Sequence, residues 1–429
     1  MRISLLLAGA MFTLPALAQE PVPDRDLLTR PLPGLNAKEL ERFMLGRSLF
    51  RQSWVIAPAS DTTVDGLGPL YNRLACISCH PKNGRGGAPS GPHEKMQSML
   101  VRLSVPGTPP RPHPVYGDQL NEEGIPGVPG EGRAEVHWQE KEVRLADGHL
   151  VRLRFPEIRF VELAYGEIGP VLVSPRVGPH VAGLGLLDAV DARTLTAMAR
   201  AAKPDGVTGK MNRIGRQAGR FGLKANTADL RGQIAGAFHG DMSITSPLFP
   251  DENCTPAQSA CKQAPNGGKP ELSARQLDDI TFYVAHLAPP PRRNSEAPAV
   301  KRGELLFAGF GCAVCHQPTL QTGNSPHRLL RKRSFSPYTD LLVHDMGPGL
   351  ADHRPDHAAT GSEWRTAPLW GIGALAAINE KVGFLHDGRA RTLEEAILWH
   401  GGEAEAARRR YGQADAASRR DLIEFLNSL

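Results

Sequence analysis

Beyond residue 14 the chain has no apolar run that approaches the length needed to cross a membrane. It has no basic block either: 50 Lys and Arg against 45 Asp and Glu leave +5, spread along the chain. That excludes the charge footprint of a nucleic-acid binder. No compositional period is present, since 45 Gly and 37 Pro follow no repeat, which excludes collagen-like and low-complexity chains. What remains is globular: 429 residues, 41% hydrophobic and 22% charged, enough for two or three cores. Cysteine is scarce, with six in all, and four of those six sit in two pentapeptides.

The one apolar run opens the chain. Arg2, the stretch Ile3–Leu14 and the Ala16-Leu17-Ala18 site describe a secretory signal peptide over residues 1–18, cut after Ala18. The mature protein is then an exported, periplasmic one without a transmembrane anchor, and spare thiols there meet an oxidising compartment.

The pentapeptides are Cys76-Ile77-Ser78-Cys79-His80 and Cys312-Ala313-Val314-Cys315-His316. In this order two thiols add to the vinyl groups of one haem, and the adjacent imidazole reaches the iron. Cys76, Cys79, Cys312 and Cys315 are thus the tethers of two covalent haem c groups, with His80 and His316 as axial ligands. A redox dithiol leaves the His after both pairs unexplained, and a four-cysteine zinc site leaves both imidazoles idle. The last pair, Cys254 and Cys261, lies in a polar loop and reads as a local disulfide.

Each pentapeptide belongs to a unit with similar ends. Arg42–Phe50 and Val300–Phe307 precede the motifs as short amphipathic helices, and Leu277–Leu287 and Arg420–Leu429 close the units. The fold class read from this is mainly α: two cytochrome c-like haem domains, 19–290 and 298–429, joined by a Pro-rich linker at 291–297. The first unit is longer and carries a small β insertion. Residues 134–164 alternate apolar and polar around an Asp147-Gly148 turn, which predicts a hairpin.

The stretches Trp364–Gly373 and Phe384–Ala404 resemble the di-haem oxidoreductases of the peroxidase kind, distant relatives of the bacterial di-haem cytochrome c peroxidases and of MauG proteins. Further matches are Tyr116–Leu120, Ser174–Arg176, Gly183–Leu187, Gly219–Asn226 and Tyr338–Gly347. In those peroxidases a Met fourteen residues after the His of a His-x-Gly turn is a distal ligand; fourteen after His386 stands His400. The resemblance transfers the ligand role to His400, with Met346 and His344 as rivals, and imidazole in place of thioether lowers that haem's potential. For the N-terminal haem the relatives use a His sixteen residues past the proximal one. Here that position is Met96, with His93 and Met99 nearby, and the sixth ligand stays open.

Peroxide chemistry needs a group that moves a proton as the O–O bond breaks. The relatives use a Gln followed by a Glu in a Pro-containing loop, which maps onto Gln119 and Glu131, with Glu123 as the alternative acid. They also hold Ca²⁺ between the haems; Lys203–Gly209 resembles a Ca²⁺ loop but offers one acidic residue, Asp205. Trp364, Trp370 and Trp399 read as core or as electron relays. The implied activity is reduction of H₂O₂ at the N-terminal haem. The C-terminal haem would then deliver electrons from a periplasmic donor, a small cytochrome or cupredoxin. A pure electron-transfer cytochrome and a MauG-like oxidase of a protein or organic substrate remain as alternatives.

Overall fold

The computed structural model describes residues 24–107 and 109–429, so the leader read at 1–18 lies outside the described residues. The elements that build the site are, in chain order, helix α1 (Ala37–Arg51), strands β1 (Met99–Ser104), β2 (Arg133–Arg144), β3 (Leu150–Val161) and β4 (Leu172–Val177), and helices α2 (Leu230–Met242), α3 (Ala274–Ala285) and α4 (Pro298–Gly309). They are followed by β5 (Val343–Asp345), β6 (Glu363–Arg365), α5 (Leu393–Trp399), α6 (Glu405–Gln413) and α7 (Ala416–Ser428). No described helix is long and apolar enough to cross a membrane.

Local sequence sets where these helices start. Asn36 accepts from the Glu39 N–H at 3.0 Å while the Glu39 carboxylate accepts from the Asn36 N–H at 2.8 Å, which satisfies two orphan donors of α1. Ser273 and Gln276 close the same reciprocal box on α3. Each unit is then organised by one helix crossing. A methyl group at Gly46 of α1 would overlap the Asp279 carbonyl oxygen of α3 and come within 2.7 Å of the Tyr283 Cβ. A methyl at Gly303 of α4 would overlap the Asp421 carbonyl oxygen of α7 and come within 2.7 Å of the Phe425 Cβ. Both crossings depend on a missing side chain.

The expectation of a mainly α chain is overturned: the chain is 32% helix and 18% strand. The frequent Gly and Pro leave few uninterrupted stretches for helices, and between α1 and α2 the chain runs mostly as loop, with two longer antiparallel ladders and short helices. β1 pairs antiparallel with β4 over six residues, and β2 with β3 over twelve, around a turn at Asp147-Gly148. Four shorter ladders occur among the described residues.

The buried side chains form three main cores. The largest joins Phe43, Phe50, Phe238 and Tyr283 to Leu320, Leu341 and Trp370 from the second half of the chain. The second holds Phe307, Tyr338, Trp399 and Phe425, and the third Met96, Met99, Leu103, Tyr116 and Val136. Residues 291–297 are docked rather than free: the Arg293 N–H donates to the Ser428 carbonyl at 2.7 Å, and Arg292 forks onto Glu304 at 3.0 and 2.8 Å.

Gly46→Ala and Gly303→Ala should each cost about 2–3 kcal/mol of stability, because the overlap is with backbone that cannot move aside. Gly309→Ala, with nothing within 4 Å of the added methyl, should be neutral or stabilising. Thermal unfolding followed by calorimetry checks the contrast.

Candidate haem sites

Each pentapeptide is wound into a single turn. The His80 N–H donates to the Cys76 carbonyl at 3.0 Å, and the His316 N–H to the Cys312 carbonyl at 2.9 Å. Positions i, i+3 and i+4 of such a turn share a face. The imidazoles are then fixed by the same device. His80 Nδ1 lies 2.6 Å from the Pro179 carbonyl oxygen and His316 Nδ1 lies 2.9 Å from that of Tyr338. A proton on Nδ1 leaves the Nε2 lone pair for a metal. Burial lowers the pKa of both rings, that of His316 to about 4, so they stay neutral at pH 7, as ligation requires. A Cβ at position 178 would sit 3.1 Å from His80 Cε1, so Gly178 is the floor against which that ring rests.

The thiols do not fit the rival chemistries. Cys254 and Cys261 form a disulfide with Cα atoms 5.8 Å apart, whereas the four motif cysteines are unpaired. Burial pushes Cys76, Cys79 and Cys312 up to about 12, the opposite of what a reactive dithiol needs. Among the described residues no group of three or more His, Cys, Asp or Glu is arranged to hold a bare metal ion. Unpaired thiols beside neutral, oriented imidazoles do fit two haem groups.

At the second motif, His400 caps the end of α5 and its Nδ1 meets the Ala396 carbonyl at 2.7 Å, again leaving Nε2 available. Both residues border the second core: the His316 ring stands 6.3 Å from that of Phe307, and His400 directly follows Trp399. His344 is excluded as a ligand. Its Nε2 meets Asp340 at 2.9 Å and its Nδ1 meets Glu403 at 2.7 Å, with the Cys315 sulfur 3.6 Å away. Burial opposes its protonation, but the bonds to Asp340, Cys315 and Glu403 prevail and raise it to about 12. An imidazolium has no lone pair to give. Met346 lies at the margin of the second core, its N–H on the Ser362 carbonyl.

At the first motif, His93 is exposed, and Met96 and Met99 are buried in the third core. Gln119 is buried; its Nε2 donates to the Gly240 carbonyl and to Asp241 Oδ1, both at 2.9 Å, and its Oε1 has no partner. Arg102 pairs with Asp118 at 2.7 Å beside it, and burial raises the pKa of Asp241. The Asp241 carbonyl accepts from the Asn72 and Arg73 N–H groups at 2.8 and 3.3 Å, and Arg73 Nε and Cys79 Sγ meet the same Gln97 carbonyl at 2.6 and 3.5 Å, so this polar group adjoins the first motif. Glu131 has other partners. It accepts from the Asn121 N–H at 2.6 Å and from Gln258 Nε2, and burial pushes it up to about 8. Glu123 pairs with Lys95 at 2.8 Å near the surface.

Gln119 thus lies with its chain neighbour Asp118, inside the Tyr116–Leu120 stretch, and with Arg102 and Asp241, which the sequence did not single out, while Glu131 braces the loop. No local pattern could have found residues so far apart in the chain. Asp340 and Glu403 were legible only through their neighbourhood, since Asp340 stands four residues before His344. The Lys203–Gly209 loop is spent on protein contacts: Asp205 takes both Arg410 nitrogens at 2.7 Å, and the Thr208 and Gly209 N–H groups donate to Glu403 at 2.9 and 3.0 Å. Trp364, Trp370 and Trp399 are buried. Trp364 stacks on His386 at 3.7 Å under Lys224, and Trp370 packs on Gly183. The Trp399 ring has Lys141 at 3.9 Å and Arg389 at 4.6 Å.

Two Cys-x-x-Cys-His turns with oriented imidazoles define a di-haem oxidoreductase. The chain belongs to the family described as "Di-haem oxidoreductase, putative peroxidase", whose model matches residues 26–105 and 107–429. It is therefore an enzyme of that oxidoreductase family with two haems. No curated protein matches the chain.

The raised pKa of Glu131 has a definite sign. Its carboxyl is neutral in the folded chain up to about pH 8 but ionises near the ordinary value of 4.5 when unfolded. Between those values the folded state binds more protons, so this group's contribution falls as pH rises and the penalty is complete above about pH 8. The melting temperature of Glu131→Gln relative to wild type should therefore move upward from pH 5 to pH 9, as read by scanning calorimetry.

Proposed function

We propose that the protein is an exported, periplasmic di-haem c-type cytochrome that reduces H₂O₂ to water at its N-terminal haem. Electrons would enter through the C-terminal haem from a donor protein, a small cytochrome or cupredoxin. Cys76 and Cys79 tether the first haem with His80 as axial ligand; Cys312 and Cys315 tether the second with His316 and His400. The observation that carries this reading is the difference between the two sites. His400 directly follows Trp399, which shares a core with the Phe307 that faces His316, whereas Met96 and Met99 are packed into the β core and His93 is exposed.

The bound haems supply iron for peroxide and for electron transfer. The chain's own residues supply the rest. Gln119 is held rigidly by Gly240 and Asp241, and its unpartnered Oε1 is free to accept from a peroxide O–H. Asp241, whose pKa burial raises, is the proton-holding carboxyl beside it, with Arg102 and Asp118 completing a charged surround. Glu131, named with Gln119 as the acid–base pair, acts here by fixing the loop that carries Gln119: it holds the Asn121 N–H. His344, with Asp340 and Glu403, leaves one net negative charge beside Cys315, which favours the oxidised state of the second haem.

Low-temperature EPR of the haem-loaded ferric protein should show one high-spin and one low-spin centre. Gln119→Leu should lower kcat/KM for H₂O₂ about 100-fold with a reduced cytochrome as donor, at unchanged haem content. Two low-spin signals without peroxide turnover, in the ferric and half-reduced states alike, would establish a pure electron carrier. His400→Met should raise the midpoint potential of the C-terminal haem in a redox titration.

A further inference from the structure

The β2–β3 hairpin serves two cores with two faces. The register runs unbroken from Arg133–Val161 to Arg144–Leu150, so residues of one parity lie on one face. Near the base, Ala134, Val136 and Trp138 with Ile158 and Phe160 turn into the third core, among β1 and β4. Near the tip the opposite face is used: Val143, Leu145, Val151, Leu153 and Phe155 enter the second core with Trp399, Tyr411 and Phe425. An insertion in the first unit therefore completes the interior of the second.

Its contacts concentrate on the helix that ends at His400. Lys141 holds its ammonium 3.9 Å from the centre of the Trp399 ring, and Phe155 meets that ring edge-on at 6.3 Å. Lys141 and Leu153 are directly paired across the ribbon, so they share the face turned to Trp399. Backbone and charge contacts pin the ribbon on either side of α5. Arg391 Nη2 donates to the Arg152 carbonyl at 2.6 Å, Arg154 Nε to that of Arg389 at 3.2 Å, and the Ala146 N–H to that of Gly412 at 3.0 Å. Arg419 closes on Asp147 at 2.6 Å. Trp399 is directly followed by His400, whose Nδ1 is bonded back into the same helix.

We propose that the hairpin is a strap that holds the sixth ligand of the C-terminal haem in place, with Lys141 and Phe155 as positioning residues acting through Trp399. The proposal rests on the reading of His400 as that ligand. A strap of this kind sets how often the imidazole leaves its position, and hence how readily a small external ligand takes it. It also links the two sites covalently. The strand that reaches Trp399 begins two residues after Glu131, and the Ala134 N–H at its base donates to Glu122 in the Gln119 loop at 3.0 Å.

The test uses the haem-loaded full chain and cyanide as the external ligand. His400→Ala first marks which low-spin EPR signal belongs to the C-terminal haem, by abolishing it. Lys141→Met and Phe155→Ala should each speed cyanide binding at that haem about five-fold and shift or broaden its low-spin signal. Lys141→Arg, which keeps a cation over the indole, should behave as wild type, an outcome that a general loss of stability does not produce. Lys141 lies at the exposed rim, so Lys141→Met tests the idea even if Phe155→Ala fails to fold. Wild-type cyanide kinetics and EPR in Lys141→Met, with the His400→Ala signal lost, would overturn the strap and leave the ligand. A low-spin C-terminal signal unchanged in His400→Ala would overturn the ligand and the strap with it.

Discussion

Two helices meet at backbone distance only where one of them lacks a side chain, and each half of this protein is built on one such contact. Gly46 lets α1 lie on Asp279 and Tyr283; Gly303 lets α4 lie on Asp421 and Phe425. The crossings then place equivalent rings. Phe50 packs on Tyr283 at 5.5 Å and Phe307 on Phe425 at 5.1 Å. Phe50 stands 6.4 Å from the His80 ring and Phe307 stands 6.3 Å from that of His316. Close approach thus fixes the aromatic wall, the wall limits the imidazole, and a backbone carbonyl sets its tautomer. The same sequence of causes runs twice in one chain.

Between the halves the joint is polar as well as apolar. Lys224 is fully buried, with its ammonium on Asp352 at 2.7 Å and on the carbonyls of Arg354 and Thr360. Burial lowers it to about 8, against the pull of Asp352. Ser174 also donates to Asp352, and Arg176 pairs with Asp356 at 2.6 Å, so β4 is tied to the second unit by charge. Such groups give little net stability, because desolvation offsets most of the attraction. They do make other relative placements of the halves costly, since each would leave a buried charge without its partner.

The two Cys-x-x-Cys-His turns were legible because their spacing is fixed within five residues, and the paired helices because they repeat. The state of His344 was not, since it turns on which ring nitrogens are already taken, and Glu403 takes Nδ1 from 59 residues further along the chain. Gln119 was found through likeness to relatives; its companions Arg102 and Asp241 come from β1 and the end of α2, which no local pattern brings together. A buried carboxyl such as Glu131 in a Gly- and Pro-rich loop looks the same in sequence whether it handles protons or braces backbone; its bonds to the Asn121 N–H and Gln258 come only with the fold. The helical expectation failed outside the hairpin, where Gly- and Pro-rich stretches such as 105–130 take loop and short ladders in place of helix. Even the two faces of the hairpin were written in the alternation, which runs on even numbers through Val136 and Trp138 and on odd ones through Val143 and Leu145.

That change of phase bears on the order in which the molecule can be assembled. A chain grows from its N-terminus, so the ribbon is finished while the C-terminal half is still being made. Its odd-numbered tip residues then have nothing to pack against, and they wait for Trp399, Tyr411 and Phe425 to arrive. The interior of the C-terminal half is thus completed by Leu145, Val151 and Leu153 of the N-terminal one. A C-terminal fragment made alone would lack part of its own core, and the division into two haem units is a division of chemistry rather than of folding.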